Sequence, residues 1–447
     1  MLNRRNQQSS PHPRQGVIAV LVAISLVAIM GALALALDGG RMLDRYQHVQ
    51  AAAEASALAA GLDLLNHYYD DGGKDTLGTA RASALAIAAS NGYANNGAQS
   101  VVTINIPPKQ GAQAGKFGYA EAIIEYRQTR AFSKVFGSST IPVKARVVAG
   151  GTFRPSWAGL LILEPKKDHA MTLRGNASLT VAGDIIVNSK GKHPIQIDSH
   201  SHANADSILV AGTLSSKDRK ALRAVEDLFT GMPPTPDPLA DLPAPTKGTV
   251  LDPKHYITGA NGKDSNTYAL VPGTYKGPLT FDHNDAVKMA PGTYYIDGGG
   301  LNFKNTASLA ASGVMIYNSS KKPISFQSSG DITLTPPTSG TYRGISLFQA
   351  RVDKARVSFK KDANLSIGGT IYAPTAEVRF QKSDVDIQEY PDNADDDLDL
   401  EGDDETDSAG SLSAQIIAAK FKVDKNSQVT IGGAGIATQK PFLGLVE

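Results

Sequence analysis

Cysteine is absent from all 447 residues. That excludes a disulfide framework, thiolate zinc or iron–sulfur sites and any cysteine nucleophile. Charge of one sign is also missing: 44 Lys and Arg stand against 43 Asp and Glu, so the whole chain carries no nucleic-acid footprint. Aromatic residues make up only 6% and tryptophan occurs once, while glycine (43) and proline (24) are abundant, a mix suited to many tight turns. There is no Gly-x-Ser-x-Gly elbow, P-loop or dinucleotide fingerprint. The polar residues Asp282, Asp285, Asp331 and Arg343 near strand ends form no catalytic pattern. The expectation is a protein that is not an enzyme and has no catalytic residues and no cofactor.

What the sequence does have is one long apolar run. Val17 to Leu37 contains a single hydroxyl, Ser25. At ~1.5 Å per residue it reaches about 31 Å, one hydrocarbon thickness. Arg4, Arg5 and Arg14 precede it; Arg41 and Arg45 follow, interleaved with Asp38 and Asp44. Counting basic residues alone favours a cytoplasmic N-terminus. The expected layout is a tail over 1–16, a membrane helix over 17–37, and the rest periplasmic or extracellular. A cleavable signal peptide is the rival, since Ala34-Leu35-Ala36 has the small-x-small form. The run is longer than a usual signal h-region, and helix-forming sequence continues beyond it, which argues for a retained single-pass anchor.

Leu43, Tyr46, Val49, Ala53, Ala57, Ala60 and Leu64 recur every three or four residues and mark one helix face, ended by Asp70-Asp71-Gly72-Gly73. Gly16 opens the apolar run, Asp38-Gly39-Gly40-Arg41 closes it, and Gln50-Ala51-Ala52-Ala53-Glu54-Ala55-Ser56-Ala57-Leu58-Ala59 follows. These residues resemble the N-terminus of TadE/TadG-like proteins of the tight-adherence (Flp) pilus assembly system. The family-motif positions are Gly16, Asp38, Gly39, Arg41, Gln50, Ala53, Glu54, Ala57 and Leu58. Glu54 stands where the family has aspartate, and Ser56 where it has alanine. Pilin-like members are cut after a glycine and carry glutamate five residues on; the fifth residue after Gly16 is Leu21, so the resemblance implies an uncut anchor.

Over 38–150 the pattern predicts a small α+β domain: a second helix over Thr79 to Ser90, then strands over Ser100 to Ile106, Tyr119 to Tyr126 and Thr140 to Val148. Phe132-Ser133-Lys134-Val135-Phe136-Gly137 resembles the aromatic-glycine element that family members place before their last strand.

From 152 to 447 the sequence repeats. Asn176 to Gly183 is echoed at Asn305 to Gly313, at Asp362 to Gly369 and at Asn426 to Gly433, with weaker copies at Asp285 and Gly330; Pro-Gly-Thr-Tyr occurs at 272 and again at 291. Each copy is a polar corner, a short alternating strand and a glycine. Copies at Val287, Leu309 and Ile332 are spaced as one turn of a parallel β-helix would be. Asparagine and glycine suit its left-handed corners. The expected fold is therefore a membrane helix, an α+β domain and an all-β domain, a parallel β-helix with a β-sandwich as the alternative. Ile186 to Ser189, Pro236 to Pro243 and Gly369 to Ala376 resemble phrases of the C-terminal region of TadG-related and polymer-forming-type proteins.

Two stretches interrupt the repeats. Gly231 to Thr246 holds six prolines and must be extended, as a linker or as a loop laid along the repeats. Asp392 to Asp407 holds ten acidic residues and reads as a solvated loop. Within it Asp397, Asp399, Glu401, Asp403 and Glu405 fall at calcium-loop spacing, but the twelfth place is Ser408 and no helices flank it, so no metal site is assigned. In Asp198-Ser199-His200-Ser201-His202 the two histidines fall on one strand face without a visible third ligand, and the stretch misses the Asp-x-Ser-x-Ser metal motif.

The resemblance implies a structural component of a pilus-assembly or surface-adhesion system in a bacterial cell membrane, with other pilus-assembly or envelope proteins as partners and an outward β-solenoid as spacer or binding face. The alternative is a cell-surface polysaccharide-binding or polysaccharide-cleaving β-helix protein.

Overall fold

The computed structural model describes residues 15–132, 134, 140–260, 265–360, 365–381, 384–387, 414–432 and 436–447. The chain forms two units, Met1–Phe153 with Phe442–Glu447, and Arg154–Pro441.

The first unit is built on α1 (Gln15–Asn66), one helix of 52 residues that Gly39-Gly40 does not interrupt. Its apolar side chains from Ile18 to Leu37 are exposed, and this is the one helix among the described residues apolar and long enough to cross a membrane. Its second half buries one face from Val49 onward, while Leu43, Tyr46 and Leu62 stay exposed. Val49, Ala52, Ala53, Ala57, Ala60 and Leu64 pack with α3 (Thr79–Ser90), which contributes Ala80, Ala84 and Ala88. Between them α2 (Tyr68–Asp71) ends on Gly72 at φ 68°, the left-handed cap glycine permits. The other layer is a sheet of β1 (Ser100–Asn105), β2 (Tyr119–Thr129) and β3 (Thr140–Ser156), in that order, with a fourth strand, Thr438–Leu445, beside β3. The first two pairings are antiparallel. The chain's last residues thus belong to its first unit, whereas the sequence pattern had assigned them to the second domain.

The second unit is a large all-β assembly of three parallel ladders. In the first, Gly273–Lys276, Gly292–Asp297, Val314–Asn318, Ile345–Gln349 and the start of Gly369–Gln381 pair in succession. A second ladder runs through Leu279–Phe281, Leu301–Asn305, Ile324–Ser328 and Val357–Lys360. The third carries Ala286–Met289, Ser308–Ala311 and Ile332–Leu334, with Val287 against Leu309 and Leu309 against Ile332. Strands of the third ladder alternate buried and exposed residues, whereas Ala158–Ile162, Val314–Asn318 and Ile345–Gln349 of the first are buried throughout. Both faces of the first ladder are therefore covered, which is why those strands read as continuous apolar runs. Asn176, Asn305 and Asn426 hold φ of 60°, 52° and 57° at corners.

The layers do not stack in chain order. Ala414–Asp424 follows Gly369–Gln381, and on it sits the first part of the unit, with Ile416 against Leu160 and Phe421 against Met171. Val429 likewise meets Leu179. The stack then continues through Asp184–Val187, His202–Val210 and Leu222–Thr230. The chain accordingly finishes Thr230 at one end of the ladders and resumes at Val250 on the other. Ten strand spacings of ~4.8 Å separate those ends, about 48 Å. The nineteen residues 231–249 reach ~60 Å in polyproline II geometry, enough with little slack.

That crossing settles the two readings of the proline-rich segment: it is a strap laid over the first ladder's outer face. Asn188 Nδ2 donates to Thr235 O (2.7 Å), Tyr372 Oη to Asp237 Oδ2 (2.7 Å), and Arg351 Nη2 to Leu242 O (2.9 Å). Lys247 Nζ closes on Asp297 at 2.8 Å. Leu239 is buried among Met315, Tyr317, Phe348, Tyr372 and Ile417.

Candidate functional site

The family-motif residues lie along α1, and the structure gives most of them a physical role. Asp38, at the end of the apolar run, accepts hydrogen bonds from the backbone amides of Ala131 and Phe132, each at 3.1 Å. A carboxylate at this place fastens the helix to the loop after β2. Gly39 has no atom within 4 Å of where a side chain would begin, and Arg41 is exposed. Gln50 Nε2 donates to Glu54 Oε1 at 2.9 Å, one turn apart on a half-buried face. Ala53 and Ala57 are fully buried, and Leu58 packs against the same cluster. Ser56 Oγ donates to Ala52 O at 2.7 Å and so satisfies its hydroxyl inside the helix. Gly16 is helical. Of the aromatic-glycine element, residues 133 and 135–137 lie outside the described residues, and Phe132 is exposed.

The small side chains have a geometric cause that the pattern alone does not reveal. A Cβ on Gly151 would stand 1.7 Å from Gly61 O, and one on Gly61 would stand 3.2 Å from Gly150 O. Helix and strand backbones touch there, so the alanines on either side form the rest of a close crossing. The glycine pair at 150–151 inside a strand was the available signal.

The same sheet carries a buried ion pair, on residues that alternate with those facing the helix. Glu121 is 1% exposed and accepts from Arg146 Nε at 2.6 Å and from Asn105 Nδ2 at 2.6 Å. Burial alone would raise its pKa; the Asn105 and Arg146 hydrogen bonds and the Lys109 amide outweigh it and hold the carboxyl below its ordinary range. Arg146 also meets Glu447 at 2.8 Å, tying down the C-terminal residue.

The other sequence candidates divide differently. Asp282 and Asp285 are corner residues: Asp285 accepts the amides of Asn266 (2.7 Å) and Asp282 (3.0 Å), and Asp282 accepts that of His283 (2.7 Å). Asp331 gives its carbonyl to Leu309, and Arg343 lies in the turn before Ile345. His202 Nε2 meets Ser178 Oγ at 3.2 Å, while His200 Nδ1 meets Ser199 Oγ at 3.2 Å. No group of three His, Asp or Glu side chains able to hold a metal occurs among the described residues. The acidic block with Asp397, Asp399, Glu401, Asp403 and Glu405 lies outside them.

Sequence reading also missed a column in the second unit. Phe281, Phe303, Phe326, Phe359, Phe380 and Phe421 stack along the second ladder with ring centroids 4.7–5.8 Å apart. Six of the thirteen phenylalanines serve this one column, and their recurrence at equivalent repeat positions was the signal.

No curated protein and no solved structure matches the chain. Residues 16–63, which are the exposed apolar half of α1 and the small-residue face that crosses the sheet, match the family model of putative Flp pilus-assembly proteins, TadE/G-like.

Proposed function

We propose that this protein is a non-enzymatic, membrane-anchored component of a Flp-type pilus assembly system, with its N-terminus cytoplasmic and both units outside the cytoplasm. The observation that carries the reading is the matched segment 16–63, in which one helix combines a span of exposed apolar side chains with a face embedded in a folded unit. A helix so divided holds a domain at the membrane surface. In this reading the first unit is a pilin-like α+β docking domain. The second is a parallel β-helix serving as spacer or binding face, supported by three ladders that repeat every 22 or 23 residues at Val287, Leu309 and Ile332. Other pilus-assembly components are its partners.

Two experiments test it. Deleting the gene in its host should abolish or sharply reduce surface pili, with recovery on re-expression; normal piliation would refute the reading. Because the chain has no cysteine, Ser9→Cys and Ser319→Cys can be labelled singly with an impermeant maleimide in spheroplasts. Labelling is expected at position 319 alone, and labelling at position 9 alone would reverse the orientation.

A further inference from the structure

We infer that the second unit carries a binding cleft for an acidic polysaccharide. The cleft is about 620 Å³ and opens between the corner Ile197–His202 and the segment Ser216–Arg223. It belongs to the two layers at the Leu222–Thr230 end of the ladders. Lys217, Lys220 and Arg223 line one wall, all exposed, and His200 and His202 line the other. Among the described residues none of the three cations has an ion-pair partner, in contrast to Lys440, which meets Asp184 at 3.6 Å and Glu226 at 3.4 Å. The nearby acid Asp218 is already committed: it is buried, and its Oδ1 accepts from the Ile197 amide at 3.0 Å. That bond fixes one wall of the cleft to the other. Asp198 is the single carboxylate in the lining and can accept from a ligand hydroxyl.

Three unpaired cations in one concavity favour an anionic ligand with more than one charge. The surface leading to the cleft favours a polymer with hydroxyl groups over a compact anion. On the outer face of the third ladder Thr430, Thr180 and Asn204 follow one another at strand spacing, the last directly against Arg223, and the next residue in register beyond Thr430, Asp386, bounds this row. Thr430, Thr180 and Asn204 are exposed or half-buried and offer side-chain donors and acceptors every ~4.8 Å. A chain of sugar rings bearing carboxylates can lie along this row with a charged group in the cleft. The inference does not depend on the pilus reading, because binding is a property of the purified protein.

The test uses the full chain in a non-ionic detergent, with polygalacturonate and neutral dextran as immobilised probes. Polygalacturonate should bind and dextran should not. Lys217→Glu, Lys220→Glu and Arg223→Glu together should weaken binding at least tenfold, whereas Lys276→Glu, Lys304→Glu and Lys354→Glu, an equal charge change on exposed residues elsewhere, should weaken it less than threefold. No binding by the unaltered chain, equal loss in both triple variants, or equal binding to dextran would each overturn the proposal. Competition by glycerol phosphate that exceeds competition by oligogalacturonate would assign the cleft to phospholipid headgroups and overturn it as well.

Discussion

The two units solve the same burial problem with opposite materials. In the first, the core of helix against sheet is mostly alanine, and at Gly61 and Gly151 no side chain stands between the backbones. In the second, the interior is filled by columns of large residues, with phenylalanine on phenylalanine and leucine or isoleucine repeated from layer to layer. Close approach gains stability from shape and fails when something is added. A filled column gains it from buried apolar area and fails when something is removed. The low aromatic content of the chain conceals this, because the aromatics are concentrated where stacking uses them.

The sharpest way to break the comparison is a charge inside a column. Leu309 is 2% exposed between Val287 and Ile332, so Leu309→Asp should cost about 5 kcal/mol, a lost side chain plus an unpaired carboxylate. Its partly exposed neighbour should be indifferent, with Ser308→Asp changing stability by no more than about 0.5 kcal/mol. Hydrogen exchange by mass spectrometry on the full chain reads both, and comparable damage from the two would mean the column is not a column. Phe359→Ala comes next, at about 3–5 kcal/mol, since its ring is buried between Phe326 and Phe380. The loss should be confined to the second unit.

Gly151→Val tests the other material. It should cost about 3 kcal/mol, near the top of the usual overpacking range, and should loosen α1 from β3 in the first unit alone. A harmless valine there would show that the crossing is not tight. Arg351→Met removes the donor to the carbonyls of Leu239 and Leu242 and should cost about 1–3 kcal/mol, seen as faster exchange in 235–247 while the ladders beneath stay protected. The smallest effect is read as a slope. Glu121 has a depressed pKa in the folded state, so its stabilising contribution is present above the unfolded value of about 4.3 and is lost as pH falls below it. Glu121→Gln should flatten the first unit's stability between about pH 5 and pH 3, and an unchanged slope would remove Glu121 from the account.

Much of this architecture was legible because local chemistry forces it. The second helix begins and ends at Thr79 and Ser90 as its alanine-rich pattern and Asn91-Gly92 indicate. Polar corners fell on Asn176, Asn305 and Asn426 because asparagine tolerates the left-handed region. The pairing of 287 with 309 and 309 with 332 follows from their spacing. The order of the layers was not legible. Every layer presents a similar apolar edge, so Val429 suits Leu179 as well as it suits any equivalent residue, and nothing local says that late strands precede early ones in space. For the same reason the proline-rich segment could be read as a linker. At the α1 face the alanines were visible, but their purpose depended on Gly151, about ninety residues away, and the seat of Asp38 on the amides of Ala131 and Phe132 is equally non-local.

The out-of-order stack has a consequence in time. A chain made from its N-terminus delivers Leu160 long before Ile416, the residue it pairs with. At ordinary synthesis rates the 255 intervening residues take about 13–50 s. Throughout that interval the early layers can pair on one side only, and their second edge stays open to any other strand that passes. Contacts this distant in sequence close slowly even once both halves exist. The nascent protein therefore spends its most vulnerable period with a finished segment waiting for its other half, and a cell that makes it in quantity needs something to cover that edge until Ile416 arrives.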